Sequence, residues 1–329
     1  INLLIPHAIY HTTGSMTKRE CPPSFFYQSP PWQDFDYCGD YVRKLESKLV
    51  EGKHVCKVAV FYPLSGLCAE YQSDKKTQEF EHIENFLNSL CLELMKQHID
   101  YDLIDRQALC SGELRDSKLC LADEEYEYLL IPVAEYLADE DVAGIMRAFE
   151  GGIQTAMFFR AMSPDRQNIP SNGKHRITPV RSEEFQQYIG LLAKQINQDI
   201  ALSGGGAEDI LLYRREMDGK RIFFMVNRSA KHRKISAMVN SVEPHAIFDP
   251  ENGKYCAPES RRTGLKTVYQ LRFEPYESYF LVEGYEGDVN TCVSETSKKI
   301  QLRDLSASIP FNVALQYGFE YKDNSGDKK

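Results

Sequence analysis

Short apolar runs alternate with helical patterns of apolar residues over the middle of the chain, residues 53–202. Phe80, Ile83 and Leu87, for example, recur at the spacing of one helix face. Strands that alternate with helices pair in parallel through right-handed crossovers. The pattern therefore predicts an open α/β sandwich of flavodoxin-like type, with strands at residues 55–62, 101–104, 128–132 and 153–159 and helices at residues 75–97, 139–149 and 182–200.

The apolar pattern changes to a period of two after a glycine-rich linker at residues 203–206. Between two strand-like segments, Met217-Asp218-Gly219-Lys220 has the sequence of a tight hairpin turn. No helical pattern interrupts the later strand-like segments. Residues 207–286 are therefore predicted to form a small antiparallel β-sandwich. Residues 287–329 are expected to be a polar tail or the start of a truncated further domain.

The first eleven residues form an apolar, β-prone run that ends in polar and aromatic side chains. His7, Tyr10 and His11 close this run, and an α/β barrel places such groups at its active-site rim, where its strands end. A helical pattern over residues 37–49 follows. We therefore expect residues 1–52 to be the last strand, loop and helix of a truncated (β/α) barrel, so that the chain begins inside a larger protein.

The composition excludes several classes of partner. A net charge of −9 argues against nucleic acid, because phosphate binding needs clustered lysine and arginine. No apolar stretch approaches the roughly 20 residues of a membrane-spanning helix. The nine cysteines include no Cys-x-x-Cys pair, so we predict reduced thiols in a cytoplasmic protein and no metal site. The sequence also lacks the glycine-rich nucleotide motifs, so no cofactor is expected.

Five residues near the start of the chain are the candidate substrate-binding groups: His7, Tyr10, His11, Arg19 and Trp32. In an extended strand, His7 and His11 would lie about 13 Å apart, which is too far for one metal ion to bridge. They are either packed core histidines, or one of them lines a polar cleft that suits sugar hydroxyls. Trp32, the only tryptophan, either stacks on a sugar ring or fills a domain junction.

The predicted α/β unit lacks the residues that catalysis would need. An amidotransferase-like unit requires a cysteine on a glycine-flanked turn after a central strand, but residues 129–135 contain neither residue type. Acidic clusters at residues 123–125, 139–141 and 183–184 lie in predicted loops or at helix starts, where carboxylates cap free N–H groups. We therefore predict a structural role for this unit, and the catalytic residues stay unknown.

Several loose motifs occur in a moderately specific order. The run Ile-Asn-x-x-x-Pro-His-Ala-x-Tyr at residues 1–10 is followed by Pro31-Trp32, by Tyr-x-x-Lys-Leu at 41–45 and by Val-Ala-Val-Phe-Tyr-Pro at 58–63. Residues 248–253 read Phe-Asp-Pro-Glu-Asn-Gly, close to a Trp-Asp-Pro-x-x-Gly turn. Together these motifs resemble the C-terminal half of large bacterial glycoside hydrolases related to family 106, the α-L-rhamnosidases, with a β-galactosidase-like accessory domain.

The resemblance implies hydrolysis of a terminal deoxysugar or similar glycoside by two carboxylates on barrel strands upstream of this chain. The chain alone is then expected to be inactive, with carbohydrate, the upstream barrel domain and a second copy of the chain as partners. Two alternatives stay open. One is a non-catalytic carbohydrate-binding or oligomerisation module, and the other is an amidotransferase-like enzyme that uses one of the cysteines.

Overall fold

The structure is a computed structural model. It describes residues 5, 7–12, 14, 24–29, 32, 34–73, 75–160, 177–287 and 289–291. These residues belong to the first of two compact units, which spans residues 1–291. The candidate Arg19 and the chain beyond residue 291 lie outside the described residues.

The predicted barrel strand over residues 1–11 is not confirmed. Residues 7–12 are described, and they form no strand. Ala8 has a φ of +62°, in the left-handed region, and this conformation interrupts an extended backbone. Residues 1–4 and 6 of the predicted strand lie outside the described residues.

Helix α1 (Phe35–Leu49) confirms the predicted helix but has an unexpected packing partner. Its buried Leu45 and Leu49 contact a cluster that includes Phe248 and Phe280. These two phenylalanines belong to the antiparallel part of the fold, whereas we expected the helix to pack on a barrel. The helical spacing correctly identified the apolar face of α1 and could not identify what covers it.

A five-stranded parallel sheet forms the centre of the α/β part, in the order β3-β2-β7-β8-β9. Counted along the chain, these strands have the order 2-1-3-4-5. Strands β2 and β7 are buried along their whole length, as is usual for parallel strands covered on both faces. The elements up to this sheet's last helix are β1 (Lys53–His54), β2 (Val58–Phe61), α2 (Leu64–Glu70), α3 (Gln78–Lys96), β3 (Tyr101–Ile104), α4 (Arg106–Ser111), β4 (Glu113–Arg115), β5 (Lys118–Leu121), β6 (Glu124–Tyr126), β7 (Tyr128–Ile131), α5 (Asp139–Glu150), β8 (Gln154–Phe159), β9 (Thr178–Arg181) and α6 (Phe185–Ile196).

Alternating residues of the central strands supply two separate apolar cores. Val58 and Val60 of β2 belong to the core that is completed by α3 and α6. Ala59 and Phe61 of the same strand belong to the core that is completed by α4 and α5. Since successive side chains of a strand point to opposite faces, the two helix pairs cover the two sides of the sheet.

A three-stranded antiparallel sheet, β4-β5-β6, is inserted between β3 and β7 and was not predicted. Its strands are only three or four residues long and each contains a charged residue, so no extended apolar run indicates them. The acidic cluster at residues 123–125 was predicted to cap a helix. Glu124 and Glu125 instead lie in strand β6, so that prediction is wrong.

Strand β1 and most of the described chain after α6 form two packed sheets, antiparallel throughout except for the parallel pairing of β15 with β19. The larger has the order β1-β11-β12-β18-β14-β15-β19, and the smaller has the order β10-β13-β17-β16. One apolar core between them draws residues from both sheets, including Phe223, Leu281 and Tyr269. The strands are β10 (Ile200–Ser203), β11 (Ile210–Met217), β12 (Lys220–Asn227), β13 (Arg233–Val239), β14 (His245–Asp249), β15 (Lys254–Ala257), β16 (Glu259–Thr263), β17 (Lys266–Phe273), β18 (Ser278–Glu283) and β19 (Asn290–Thr291).

The hairpin between β11 and β12 confirms the turn predicted at residues 217–220. Met217 pairs with Lys220 across the turn. Asp218 and Gly219 have φ values of +51° and +73°, which a two-residue turn of type I′ requires at both central positions. The Asp-Gly sequence therefore directs this connection.

The cysteines only partly follow the prediction of reduced thiols. Cys56, Cys91 and four other described cysteines are free. Cys256, however, is disulfide-bonded. The predicted cytoplasmic location stays a prediction. In the described ranges, no helix has both the length and the apolar character to cross a membrane.

Candidate functional site

The structure holds part of the predicted substrate-binding segment against a neighbouring loop. The backbone carbonyl of Ala8 accepts a hydrogen bond from the Phe25 N–H at 2.9 Å. Gln28 Nε2 donates to the carbonyls of Tyr10 and His11 at 3.2 and 3.3 Å. Residues 7–12 therefore lie beside residues 24–29, although the two segments are separated by many residues in sequence.

Aromatic rings cluster where this loop meets helix α1. The Phe26 ring lies edge-on to Trp32, with 4.8 Å between centroids. Trp32 stacks on Phe35 at 5.1 Å with an interplanar angle of 20°. One face of the indole is thus covered by the first residue of α1. Two roles were predicted for Trp32, stacking on a sugar ring or filling a domain junction. For the indole face that contacts Phe35, this contact favours the packing role.

More exposed aromatic groups surround this cluster. Phe25 and Tyr27 are exposed, and the Tyr27 hydroxyl donates to the His11 carbonyl at 3.3 Å. Tyr10 is half-buried beside them. We call Tyr10, Phe25, Tyr27 and Trp32 the N-terminal aromatic surface. Rings that combine an apolar face with a polar edge suit ligands that present both C–H and hydroxyl groups.

The predicted histidines are not core residues. His7 and His11 are both exposed, so the alternative of packed core histidines is wrong. Their imidazole groups are available to donate to, or accept from, a polar ligand. Of the five predicted residues, the structure therefore brings Tyr10, His11 and Trp32 to one loop region, leaves His7 at its exposed end, and does not describe Arg19.

The carboxyl edge of the parallel sheet is a second place where a ligand commonly binds in such folds. Here Asp141, which is buried, accepts hydrogen bonds from the Ser65 hydroxyl and the Ala138 N–H. Arg106 Nε lies 2.9 Å from the other carboxylate oxygen of Asp141. These contacts confirm the predicted capping role for Asp141 at the start of α5. They also occupy Asp141 fully within the fold.

Two of the described free cysteines, Cys56 and Cys91, do not support the amidotransferase alternative. Burial and the nearby carboxylate of Asp102 raise the pKa of the Cys56 thiol far above its usual range. Burial also raises the pKa of the Cys91 thiol. A catalytic cysteine needs the opposite change, because the thiolate is the nucleophile. Neither thiol is therefore activated.

A cleft of about 400 Å³ lies at one end of the larger antiparallel sheet, next to Arg221, Pro244 and Glu283. Arg221 Nη2 lies 2.8 Å from Glu283 Oε1, and Ser241 also donates to Glu283. Burial disfavours the charged carboxylate, but these hydrogen bonds outweigh burial and lower the pKa of Glu283 to about 2. The ion pair stabilises the end of the sheet, and its two paired charges line part of the cleft wall.

Sequence reasoning missed one polar cluster altogether. His54 of β1 lies 2.9 Å from Glu124 of β6 and 2.8 Å from Asp100. No spacing rule joins these three residues, because they come from separate segments that only the tertiary fold brings together. No local pattern marks the cluster either, because residues 118–126 read Lys-Leu-Cys-Leu-Ala-Asp-Glu-Glu-Tyr, with their acidic residues consecutive and not alternating.

Comparisons with known proteins show similarity of fold. No family model matches the chain, and a search of curated proteins gave no significant match. The chain is similar to a rhamnosidase from Novosphingobium sp. PP1Y, with a TM-score of 0.57 and 18% identity over 81% of this chain and 26% of that protein. It is also similar to a β-galactosidase from Bacillus circulans sp. alkalophilus, with a TM-score of 0.50 and 12% identity over 78% of this chain and 46% of that protein. The chain spans less than half of either protein, and its fold is like that of glycoside hydrolases.

Proposed function

We propose that this chain is the C-terminal, accessory part of a glycoside hydrolase that resembles the α-L-rhamnosidases. The observation that carries the proposal is the fold similarity to a rhamnosidase over 81% of this chain. The order of motifs in the sequence supports it independently. In this proposal the acid and base carboxylates belong to a barrel upstream of the chain, and the substrate is a terminal sugar of a glycoside.

The α/β part is proposed to be a flavodoxin-type accessory domain without catalytic activity. Its strand order, 2-1-3-4-5, is that of doubly wound sheets such as flavodoxin. The polar groups at the carboxyl edge, Ser65, Arg106 and Asp141, bind one another. These contacts hold Asp141 within the fold, which supports a structural role, because a catalytic carboxylate needs a free oxygen for its substrate.

The proposed contact with carbohydrate lies at the N-terminal aromatic surface. Tyr10, His11 and Trp32 are the predicted site residues that lie in this region, with His7 at its exposed end, and Arg19 is retained as a proposal from the sequence. The exposed rings supply apolar area for the C–H face of a sugar. The exposed histidines supply hydrogen bonds for its hydroxyls.

Two assays on the purified chain test this proposal. We expect no turnover of 4-nitrophenyl α-L-rhamnopyranoside, since the catalytic pair is assigned elsewhere. Isothermal titration with methyl α-L-rhamnopyranoside should show binding that Tyr10→Ala weakens about 3- to 10-fold, as expected for the loss of one aromatic contact. The matched control is Tyr276→Ala, which removes an exposed tyrosine from the antiparallel part.

The outcomes are distinct. Turnover by the chain would contradict the assignment of catalysis to an upstream barrel. Equal weakening by Tyr10→Ala and Tyr276→Ala, or binding of no sugar by a chain that assembles into oligomers, would favour the alternative of an oligomerisation module.

A further inference from the structure

A histidine and three carboxylates meet where three separately folded segments join. His54 lies on β1, Asp102 on β3 and Glu124 on β6. One potential ligand atom from each of these three residues lies within 4.8 Å of the other two. We call His54, Asp102 and Glu124 the His54 cluster. Asp100 contacts its histidine from the opposite side.

The orientation of the His54 ring is determined by contacts on all sides. Its Nδ1 lies 2.9 Å from Glu124 Oε1, and its Nε2 lies 2.8 Å from Asp100 Oδ2. The ring also stacks on Tyr213 of β11, with centroids 4.5 Å apart and an angle of 14° between the planes. The imidazole therefore cannot turn away, and Nδ1 is directed at the carboxylate of the cluster.

The carboxylates of the cluster are not fully used by hydrogen bonds. Glu124 Oε2 is buried and has no hydrogen-bond partner among the described residues. Asp102 Oδ2 accepts one hydrogen bond, from the Tyr126 hydroxyl at 2.9 Å. A buried carboxylate oxygen without a partner carries an unfavourable desolvation cost. A cation at this position would remove that cost.

Negative charge exceeds positive charge at this junction. Asp100, Asp102 and Glu124 are all close to His54, which carries at most one positive charge, while Lys53 acts on Glu124 from a greater distance. The junction is therefore electrostatically favourable for a divalent cation.

We propose that His54 Nδ1, Asp102 and Glu124 bind one Zn²⁺ ion. Zinc binds imidazole nitrogen and carboxylate oxygen at about 2.0–2.2 Å, which places tetrahedral ligands about 3.4 Å apart. The ligand atoms of the cluster lie within 4.8 Å of one another, and His54 Nδ1 is 2.9 Å from Glu124 Oε1. Side-chain shifts of about 1 Å would bring them to the zinc-ligand separation. Imidazole favours zinc over Ca²⁺ and Mg²⁺, which prefer oxygen ligands alone.

The surroundings supply the supporting contacts that such a site needs. With Nδ1 on the metal, His54 Nε2–H donates to Asp100, which gives the carboxylate–histidine–zinc arrangement. The Tyr126 hydroxyl orients Asp102 in the same way. Zinc binds Nδ1 only when this nitrogen carries no proton, so affinity should fall as the pH is lowered.

A metal at this position would connect the two main parts of the fold. Strand β1 pairs with β11 of the larger antiparallel sheet, whereas Asp102 belongs to the parallel sheet. Zinc bound between them stabilises the folded state and not the unfolded state, because the three ligands are far apart in the unfolded chain. We expect saturating Zn²⁺ to raise Tm by about 5 °C or more.

The experiment uses the whole chain, treated with chelator and then dialysed. Isothermal titration with ZnCl₂ and elemental analysis measure affinity and stoichiometry in the wild type, Glu124→Gln and Asp102→Asn. The control is Glu274→Gln, which alters an exposed histidine–carboxylate pair with the same 2.9 Å separation, His232 and Glu274. We expect each cluster variant to lose one equivalent of zinc or at least 10-fold in affinity, and the control to bind as the wild type does.

Other outcomes overturn the proposal. These are the absence of saturable zinc binding, equal binding by Glu124→Gln and the wild type, or binding of Ca²⁺ or Mg²⁺ with the affinity of Zn²⁺. If the cluster variants fail to fold, the wild type decides the question. In a chain labelled with ¹⁵N-histidine, Zn²⁺ must shift the Nδ1 resonance of His54, and a shift confined to other histidines contradicts the site.

Discussion

Replacing Arg214 by methionine should strongly destabilise the chain, because this side chain joins the antiparallel part to the α/β part. Arg214 lies on β11, and its guanidinium makes three separate hydrogen bonds. Nη1 donates to the His98 carbonyl at 2.9 Å, Nη2 to Asn197 Oδ1 at 2.8 Å, and Nε to Asp199 Oδ2 at 3.1 Å. His98 follows helix α3, and the other two acceptors follow helix α6.

The expected cost follows from burial. The Arg214 side chain is 7% exposed and that of Asp199 is 26% exposed. Breaking a buried ion pair by removing one partner typically costs about 3–5 kcal/mol. Since water can partly hydrate Asp199 after the change, we expect a loss near the lower limit, about 3 kcal/mol. Methionine retains most of the side-chain volume, so the loss reports on polar contacts more than on a cavity.

Urea unfolding followed by circular dichroism measures this loss. The matched control is Arg43→Met, which breaks an ion pair with Asp40 whose side chains are 72% and 58% exposed. Exposed pairs contribute little, so the control should lose less than about 0.5 kcal/mol. A loss below about 1 kcal/mol for Arg214→Met, or an equal loss in both variants, would refute the reasoning.

Three further predictions concern acid stability, packing and thiols. The pKa of Glu283 in the folded chain is held at about 2, so its ion pair stabilises the chain at neutral pH. This contribution of about 3 kcal/mol is lost as the pH falls from about 4.5 towards 2. Glu283→Gln should remove that part of the pH dependence of urea unfolding. Leu45→Ala should lower the free energy of unfolding by about 2–4 kcal/mol, since Leu45 lies on the buried face of α1. An equal effect of Ser47→Ala, on the exposed face of α1, would contradict this. Thiol titration in denaturant without reductant should find two fewer thiols than the nine cysteines, and nine titratable thiols would show that Cys256 forms no disulfide.

Local patterns predicted the elements whose residues carry their own structural signal. The Asp218-Gly219 turn was predictable because few other sequences adopt positive φ at both positions. The helical spacing of α1 gave its position within a few residues. Strands β2 and β7 were recognisable as short apolar runs, since parallel strands are buried on both faces.

Features that depend on long-range pairing were not predictable. Nothing local to Leu45 indicates that it packs on the antiparallel sheet instead of a barrel. His54 and Glu124 meet because β1 pairs with β11 and because β6 contacts β3 through Tyr126 and Asp102. The left-handed conformation of Ala8 is equally unmarked, because alanine seldom adopts positive φ. Part of the N-terminal aromatic surface was predicted because its residues lie close together in sequence. The His54 cluster was missed because its residues lie far apart in sequence.

The emission of Trp32 offers the most direct test of a carbohydrate contact at the N-terminal aromatic surface. Trp32 is the only tryptophan, so the tryptophan fluorescence of the chain reports on this region alone. We predict that methyl α-L-rhamnopyranoside changes the emission saturably and that Tyr10→Ala weakens the response, while glycerol at equal viscosity has no effect. An emission that no rhamnoside changes, or that glycerol changes equally, would contradict the account.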